Sequence, residues 1–214
     1  MPFCCGIEMI HAFSLVHDDL PCMDDDDFRR GRPSLHRKFD EATAVLAADA
    51  LLAYAFELFT TGAAPPGRRL AATAAIATAV GPLGMAGGQM LDVEASARAT
   101  KARLVAVPRL KTAEFLAASM VSGGILAGAT RQLCDKLRAA GLRLGMLFQT
   151  TDDLIDAGQD SDRGSQTVLN SRNIENVRRQ AVKQAASAER SFAALGPKFL
   201  LLAALPHLLL RRRE

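Results

Sequence analysis

His17-Asp18-Asp19-Leu20-Pro21-Cys22-Met23-Asp24-Asp25-Asp26-Asp27-Phe28-Arg29-Arg30-Gly31-Arg32 is the stretch on which the reading of this chain turns. Six carboxylates fall within residues 18–27, and an arginine pair follows closely. So dense a block of negative charge repels itself and calls for cations to neutralise it. Ahead of it, Ile7 to Val16 is largely apolar. Pro21 stops that helix, because the residue before a proline is pushed out of the helical region. Asp18 and Asp19 are then expected on the last turn of a buried helix, pointing into whatever it packs around. Hard carboxylate oxygens offered to a small cavity suit magnesium, which takes one or two protein carboxylates and fills its remaining positions with water and phosphate. Taken alone, the segment reads as a solvated acidic turn, with magnesium binding as the alternative.

Working outward, the pattern returns at Asp152, Asp153 and Asp156. Asp152 and Asp156 share a helix face, and Gln149 lies one turn earlier. Like charges four residues apart destabilise a bare helix, so a bound cation is the natural compensation. Leu154, Ile155 and Phe148 make an exposed acidic helix end a poor description, and the segment is expected to be mostly buried. Two such clusters on separate helices can face one another across a cavity. Metal ions held by both would grip a diphosphate between them and neutralise it as a leaving group. Apolar helix faces below would shelter a carbocation from water. Arg29, Arg30, Arg32, His36, Arg37 and Lys111 could bind further phosphate oxygens.

The rest of the chain sets the frame. Its 214 residues suit one domain over residues 1–214. About half are hydrophobic, Ala and Leu dominate, and Trp is absent. β-branched and aromatic residues do not cluster into alternating strands, so the fold class is expected to be all-α. The net charge is only +3. A basic stripe with interleaved aromatics is missing, and no nucleic-acid partner is expected. Cys4, Cys5, Cys22 and Cys134 make no CxxC pair and no zinc spacing, which reads as reduced thiols in a cytoplasmic or organelle-matrix protein, with Cys4 and Cys5 as packing residues. The first ten residues lack the basic region of a signal peptide. The longest apolar run, Phe199 to Leu210, is too short to span a bilayer, so no membrane span is expected.

Helices are predicted over 6–20, 41–61, 68–97, 108–129, 131–156, 171–195 and 198–210, with Asp40 as an N-cap and a kink at Pro82. Residues 21–38 and 157–170 are predicted as loops. Asp49 interrupts an apolar face, and Gln89 and Asp92 share one. Gly87 and Gly88 inside a helix imply close backbone approach or a cavity wall, since each costs roughly 1 kcal/mol relative to alanine.

The segments MIHAFSLVHDDLPCMDDDDFRRGRPSLH, AVLAADALL, GGQMLDVE, LKTAEF and GLRLGMLFQTTDDLID occur in this order and cover most of residues 7–160. In this the chain resembles the trans-isoprenyl diphosphate synthases, most closely the bacterial farnesyl and plant geranylgeranyl diphosphate synthases. The resemblance implies an isoprenoid synthase helical bundle around a central cavity, here N-terminally truncated. It implies that Asp18, Asp19 and Asp24, with Asp152, Asp153 and Asp156, hold three magnesium ions (manganese being the alternative) and through them an allylic diphosphate. Arg29 would serve the allylic diphosphate and Arg30 isopentenyl diphosphate. Lys111 would contact the allylic diphosphate, with Thr112 and Gln149 nearby. Asp18, Asp19, Lys111 and Asp152 are the catalytic set so implied.

The reaction implied is condensation of isopentenyl diphosphate with dimethylallyl or geranyl diphosphate to farnesyl or geranylgeranyl diphosphate. Phe13, about 7 Å down the helix from Asp18, would with Ser14 limit product length. A homodimer pairing through the helix near residue 40 is implied. Members of the family carry further helices and a Gly-Gly-Lys-Arg type motif before the segment matched here, and a lysine-bearing loop where this chain reads AGQDSDRGSQTVLN. Two other readings therefore stand beside the synthase. One is a weakly active or inactive partner, forming a heterodimer with a full-length synthase. The other is a class I terpenoid enzyme using an allylic diphosphate alone.

Overall fold

A computed structural model describes residues 1–95, 101–162 and 171–212. The fold is all-α, as expected. Two compact units divide the chain, Met1–Thr73 and Ala74–Glu214, and each is taken in turn.

In the first unit, α1 (Pro2–Asp18) packs along α3 (Glu41–Phe59). Gly6 is what permits this: a Cβ there would lie 2.5 Å from Phe59 Cε1 and 2.9 Å from the Ala55 carbonyl oxygen. Phe3 then meets Phe59 with ring centroids 4.2 Å apart. Ile10 and Phe59 are fully buried, each contributing roughly 1.5–3 kcal/mol relative to exposure. Asp40 caps α3 as predicted, its carboxylate accepting from the Thr43 N–H at 2.7 Å and the Thr43 hydroxyl at 2.9 Å. The Thr43 backbone bond, followed by the hydroxyl bond, holds that carboxyl below its usual range.

The expected loop 21–38 contains structure that its length did not reveal. Phe28–Arg29 (β1) and Arg32–Pro33 (β2) pair antiparallel, followed by α2 (Leu35–Lys38). The connection is Arg30-Gly31, with φ of 50° and 71°. Positive φ at both central positions marks the hairpin turn that matches strand twist, and glycine takes the second without cost. Cys4 and Cys5, expected to pack, are exposed, because α1 turns its Phe3–Gly6–Ile10 face to α3. All four cysteines are free thiols.

From α4 (Pro66–Val80), the chain passes into the second unit. Pro82 does more than kink the predicted helix: the helix stops at Val80 and α5 runs over Met85–Ala95. Residues 101–107, between the predicted helices 68–97 and 108–129, are helical, since α6 (Lys101–Pro108) leads directly into a π-helical turn, Arg109–Ala113, and α7 (Glu114–Ala127). Pro108 therefore ends one helix instead of opening the next. It has no N–H to donate backward, and the backbone continues as a wider turn, a form frequent at functional sites.

α8 (Arg131–Asp162) outruns its predicted end at residue 156 by a further turn and a half, so residues 157–162 are helical and not loop. The remainder of that predicted loop, 163–170, lies outside the described residues. Then come α9 (Ser171–Ala193), a 3-10 turn Pro197–Phe199, and α10 (Leu200–Arg211). Leu144, Leu147, Ala181, Ala185, Phe192 and Ala203 form the core among α8, α9 and α10.

Two segments, Glu41–Phe59 and Pro66–Glu94, are long and apolar enough to cross a membrane by length and composition. The second is not one continuous helix, given the break between Val80 and Met85.

Candidate active site

In the first unit the site is built at the C-terminal end of α1. Asp18 is its last residue and Asp19 its C-cap. Pro21 turns the chain, and the Asp24 N–H donates to the Asp18 carbonyl at 2.9 Å, folding Asp24 back onto the helix end. The three aspartates singled out in the sequence are thus brought together locally. Asp19 is buried, Asp18 half-buried and Asp24 exposed.

The hairpin returns Arg29 to this helix end. Its Nε donates to Asp19 Oδ1 at 2.7 Å, and its Nη2 lies 2.6 Å from the same oxygen. Burial alone would lower the Arg29 guanidinium, but the hydrogen bond and charge of Asp19 outweigh it and hold it above its ordinary value. Burial lifts the Asp26 carboxyl, Arg29 pulls it down, and the charges of Asp19, Asp24 and Asp25 push it up again, the self-repulsion expected of this block.

Arg30 is exposed at the hairpin tip. Arg37 pairs with Asp27 at 2.7 Å. His36, offered by the sequence as a phosphate ligand, is instead buried, with Nδ1 3.2 Å from the Ser34 hydroxyl. On α1, Phe13 is half-buried and stacks on His17 with centroids 4.5 Å apart. Ser14 turns its hydroxyl back to the His11 carbonyl at 2.9 Å. Asp49 proves exposed, 4.0 Å from His17 Nε2. Burial lowers the His17 pKa against the pull of Asp49.

In the second unit the site gathers around the π turn. Lys111 and Thr112 lie on it, and it is clamped from both sides by helices with small residues. A Cβ on Gly88 of α5 would lie 2.3 Å from the Lys111 nitrogen, and one on Gly145 of α8 would lie 2.4 Å from the Ala113 Cα. This is the close approach that the glycine pair implied. Lys111 Nζ donates to Asp92 Oδ2 of α5 at 3.0 Å. The Thr112 hydroxyl donates to Gln149 Oε1 at 3.1 Å, and Gln149 Nε2 donates to Asp153 Oδ1 at 3.0 Å. The Thr112 bond therefore fixes which end of the Gln149 amide faces the carboxylate. Asp152 is half-buried and Asp153 exposed, so this end of α8 is less enclosed than its apolar neighbours suggested. Asp156 belongs to α8, and its side chain lies outside the described residues.

Sequence reasoning missed Arg212, just past α10. Its Nη2 donates to Asp152 Oδ1, and its guanidinium lies 4.5 Å over the Phe148 ring. The only signal was the basic cluster Arg211–Arg213, too far along the chain from α8 to be connected by spacing. A common pattern results: Asp19 is held by Arg29, Lys111 by Asp92 and Asp152 by Arg212, each within its own unit.

The donor set fits magnesium. It consists of hard carboxylate oxygens, and the Asp152 carboxylate already carries a cation, the guanidinium of Arg212. Among the described residues no three acidic, histidine or cysteine side chains converge on one point.

The chain is 42% identical over 171 residues to the chloroplastic geranylgeranyl pyrophosphate synthase of Capsicum annuum, covering 78% of this chain and 46% of that one. It is 44% identical over 160 residues to the farnesyl diphosphate synthase of Bacillus subtilis (strain 168), covering 73% and 54% respectively. The chain thus spans about half the length of these curated relatives. The solved geranyltransferase of Helicobacter pylori, complexed with magnesium and isoprenyl diphosphate, superposes with a TM-score of 0.85 at 32% identity, covering 98% of this chain and 73% of that one. The polyprenyl synthetase profile matches residues 2–170, and the chain belongs to the polyprenyl synthetase family.

Proposed function

We propose that this chain is the catalytic part of a short-chain prenyltransferase. It condenses isopentenyl diphosphate with dimethylallyl or geranyl diphosphate to farnesyl or geranylgeranyl diphosphate. The observation that carries this reading is the Thr112–Gln149–Asp153 hydrogen-bond chain beside Lys111 on the π turn. It ties a carboxylate and an oriented amide of α8 to the π turn that carries the Lys111 ammonium.

Residues 1–214 act as one isoprenoid synthase domain. Asp18, Asp19 and Asp24, with Asp152, Asp153 and Asp156, would hold three magnesium ions, manganese being the alternative. Magnesium, when bound, neutralises the charge that develops on a leaving diphosphate. Lys111 and Arg29 bind oxygens of the allylic diphosphate, and Arg30, at the exposed hairpin tip, meets isopentenyl diphosphate. The allylic carbon–oxygen bond breaks with its electron pair going to diphosphate. The double bond of isopentenyl diphosphate attacks the cation, and a proton leaves to the departed diphosphate. Thr112 and Gln149 lie beside Lys111 at the allylic diphosphate and help to bind it. Phe13 and Ser14 limit chain length on the wall formed by α1. The protein works as a homodimer through α3, whose exposed Leu46 lies on the side opposite buried Ala44, Ala48 and Ala55. That face serves a partner helix and not a bilayer, since α3 also bears Asp49 and Glu57. Four free thiols support a cytoplasmic or organelle-matrix location.

The test is incubation of the purified chain with magnesium, labelled isopentenyl diphosphate and dimethylallyl or geranyl diphosphate. Labelled farnesyl or geranylgeranyl diphosphate is expected. Product only after adding a full-length synthase would replace this reading with that of a partner subunit. Cyclic or hydrolysed product formed without isopentenyl diphosphate would replace it with that of an enzyme acting on the allylic diphosphate alone.

A further inference from the structure

Arg212 and Asp152 lie 60 positions apart in sequence and are brought together by the packing of α10 on α8 and α9. The guanidinium is held in two ways at once. It donates to Asp152 Oδ1, and it stacks 4.5 Å over Phe148, one helical turn before Asp152 on the same face of α8. A ring and a carboxylate so spaced form a seat for a planar cation. Its occupant comes from the residue that follows the last turn of α10, where the backbone has left the helix, with ψ of 139° at Arg212. The occupant can therefore leave without unpacking the helix, whose Ala203 and Pro206 remain buried.

We propose that Arg212 is a positioning residue that acts as the resting cation of the second aspartate cluster, and that a metal ion and Arg212 bind Asp152 in competition. The inference rests on the reading of Asp152 as a metal ligand. It adds that the C-terminal end of α10 is the element that senses metal loading. Both cations need the same carboxylate. An Asp152 oxygen engaged by the guanidinium is lost to the metal, and leaving it unpaired in a half-buried position is costly. Arg212 thus offsets the charge of Asp152 in the empty cluster and lowers its affinity for metal until a diphosphate arrives to share the ion. Coupling between ligands that share a site runs at about 1–3 kcal/mol, or roughly five- to 150-fold. Because both side chains are partly exposed, 25% and 32%, the low end applies here, about five- to tenfold.

The experiment measures binding of manganese ion alone to the purified chain, without diphosphate, by the loss of the free-ion electron spin resonance signal. Arg212→Gln is expected to tighten manganese binding about five- to tenfold, at the low end of that coupling range, and Arg212→Lys, which keeps the charge, to fall between it and the parent. In an Asp152→Asn background the Arg212→Gln effect is expected to vanish, as a double-mutant cycle requires of a direct pair. Phe148→Leu keeps an apolar side chain but removes the stacking face. It is expected to tighten binding about twofold, roughly the stacking contribution of an exposed cation–π pair, and it carries the test if Arg212→Gln does not fold. Unchanged or weaker binding in Arg212→Gln and Phe148→Leu, with Asp152→Asn still impaired, overturns the competition and leaves the metal reading standing. Undiminished binding in Asp152→Asn overturns the metal reading and the competition with it.

Discussion

Arg29 sets two donors, Nε at 2.7 Å and Nη2 at 2.6 Å, on the same oxygen of Asp19. The carboxylate is almost fully buried, while the arginine is about one-third exposed at 32%. Removing the arginine therefore strands a buried charge, whereas removing both would not. Arg29→Gln is expected to destabilise the metal-free first unit by about 1–3 kcal/mol, the cost of breaking a buried pair discounted for the exposed partner. Added magnesium should narrow the gap, because a second cation can then serve Asp19. Urea denaturation with chelator and with magnesium checks this. A gap that magnesium leaves unchanged would argue against metal binding at Asp19.

Gly88→Ala puts a methyl where the Lys111 backbone nitrogen lies only 2.3 Å from the ideal Cβ position. Backbone cannot yield as a flexible side chain can, so α5 or the π turn must shift. A loss of about 1–3 kcal/mol is expected, in the range for overpacking. The Lys111–Asp92 bond should lengthen with it. Thermal unfolding gives the stability, and turnover under the proposed assay should fall even at temperatures where the variant remains folded. Gly123→Ala, inside α7 with open space around its Cβ position, is the matched control, expected to stabilise by up to about 1 kcal/mol through helix propensity and to leave turnover unchanged.

Phe13→Ala should lengthen the product if Phe13 limits the growing chain. The ring lies five residues before Asp18, tilted against His17, and is not part of the closely packed Phe3–Ile10–Phe59 contact. Truncation should therefore leave the fold intact. Chromatography of the dephosphorylated products would show a shift toward geranylgeranyl and longer chains. An unchanged distribution would assign Phe13 to packing alone.

The Asp40 cap gives α3 a pH dependence of known sign. Its backbone bond from Thr43 lowers the folded-state pKa below the unfolded one. Its stabilisation is then complete above the unfolded value and is lost as pH falls through the folded value. The parent should melt above Asp40→Ala at neutral pH, with the difference closing in strongly acidic buffer. Asp40→Asn keeps an acceptor for the Thr43 N–H and should hold its advantage over alanine as the pH falls. Circular dichroism melts across a pH series would settle it, and a difference that grows on acidification would contradict the assignment.

Much of this protein was determined by sequence over short ranges. Helical propensity and apolar spacing declared an all-α chain, the Asp40–Thr43 cap spans three residues, and the Asp18-Asp19 and Asp152-Asp153 pairs are visible as written. The glycines of the GGQMLD segment announced a close approach without naming its partner. The Pro82 break, the continuation of helix through Pro108 and the hairpin within residues 21–38 were harder, because each depends on how freed backbone groups find other bonds.

Only the tertiary structure decided which opposite charge each site residue holds. Arg29 reaches Asp19 by way of a hairpin turn, Lys111 reaches Asp92 because Gly88 lets α5 touch the π turn, and Arg212 reaches Asp152 because α10 folds back on α9 and so meets α8. Periodicity records which face of a helix is apolar. It carries no record of which distant side chain is laid against the polar residues at that helix's end, since that choice is made by packing between elements.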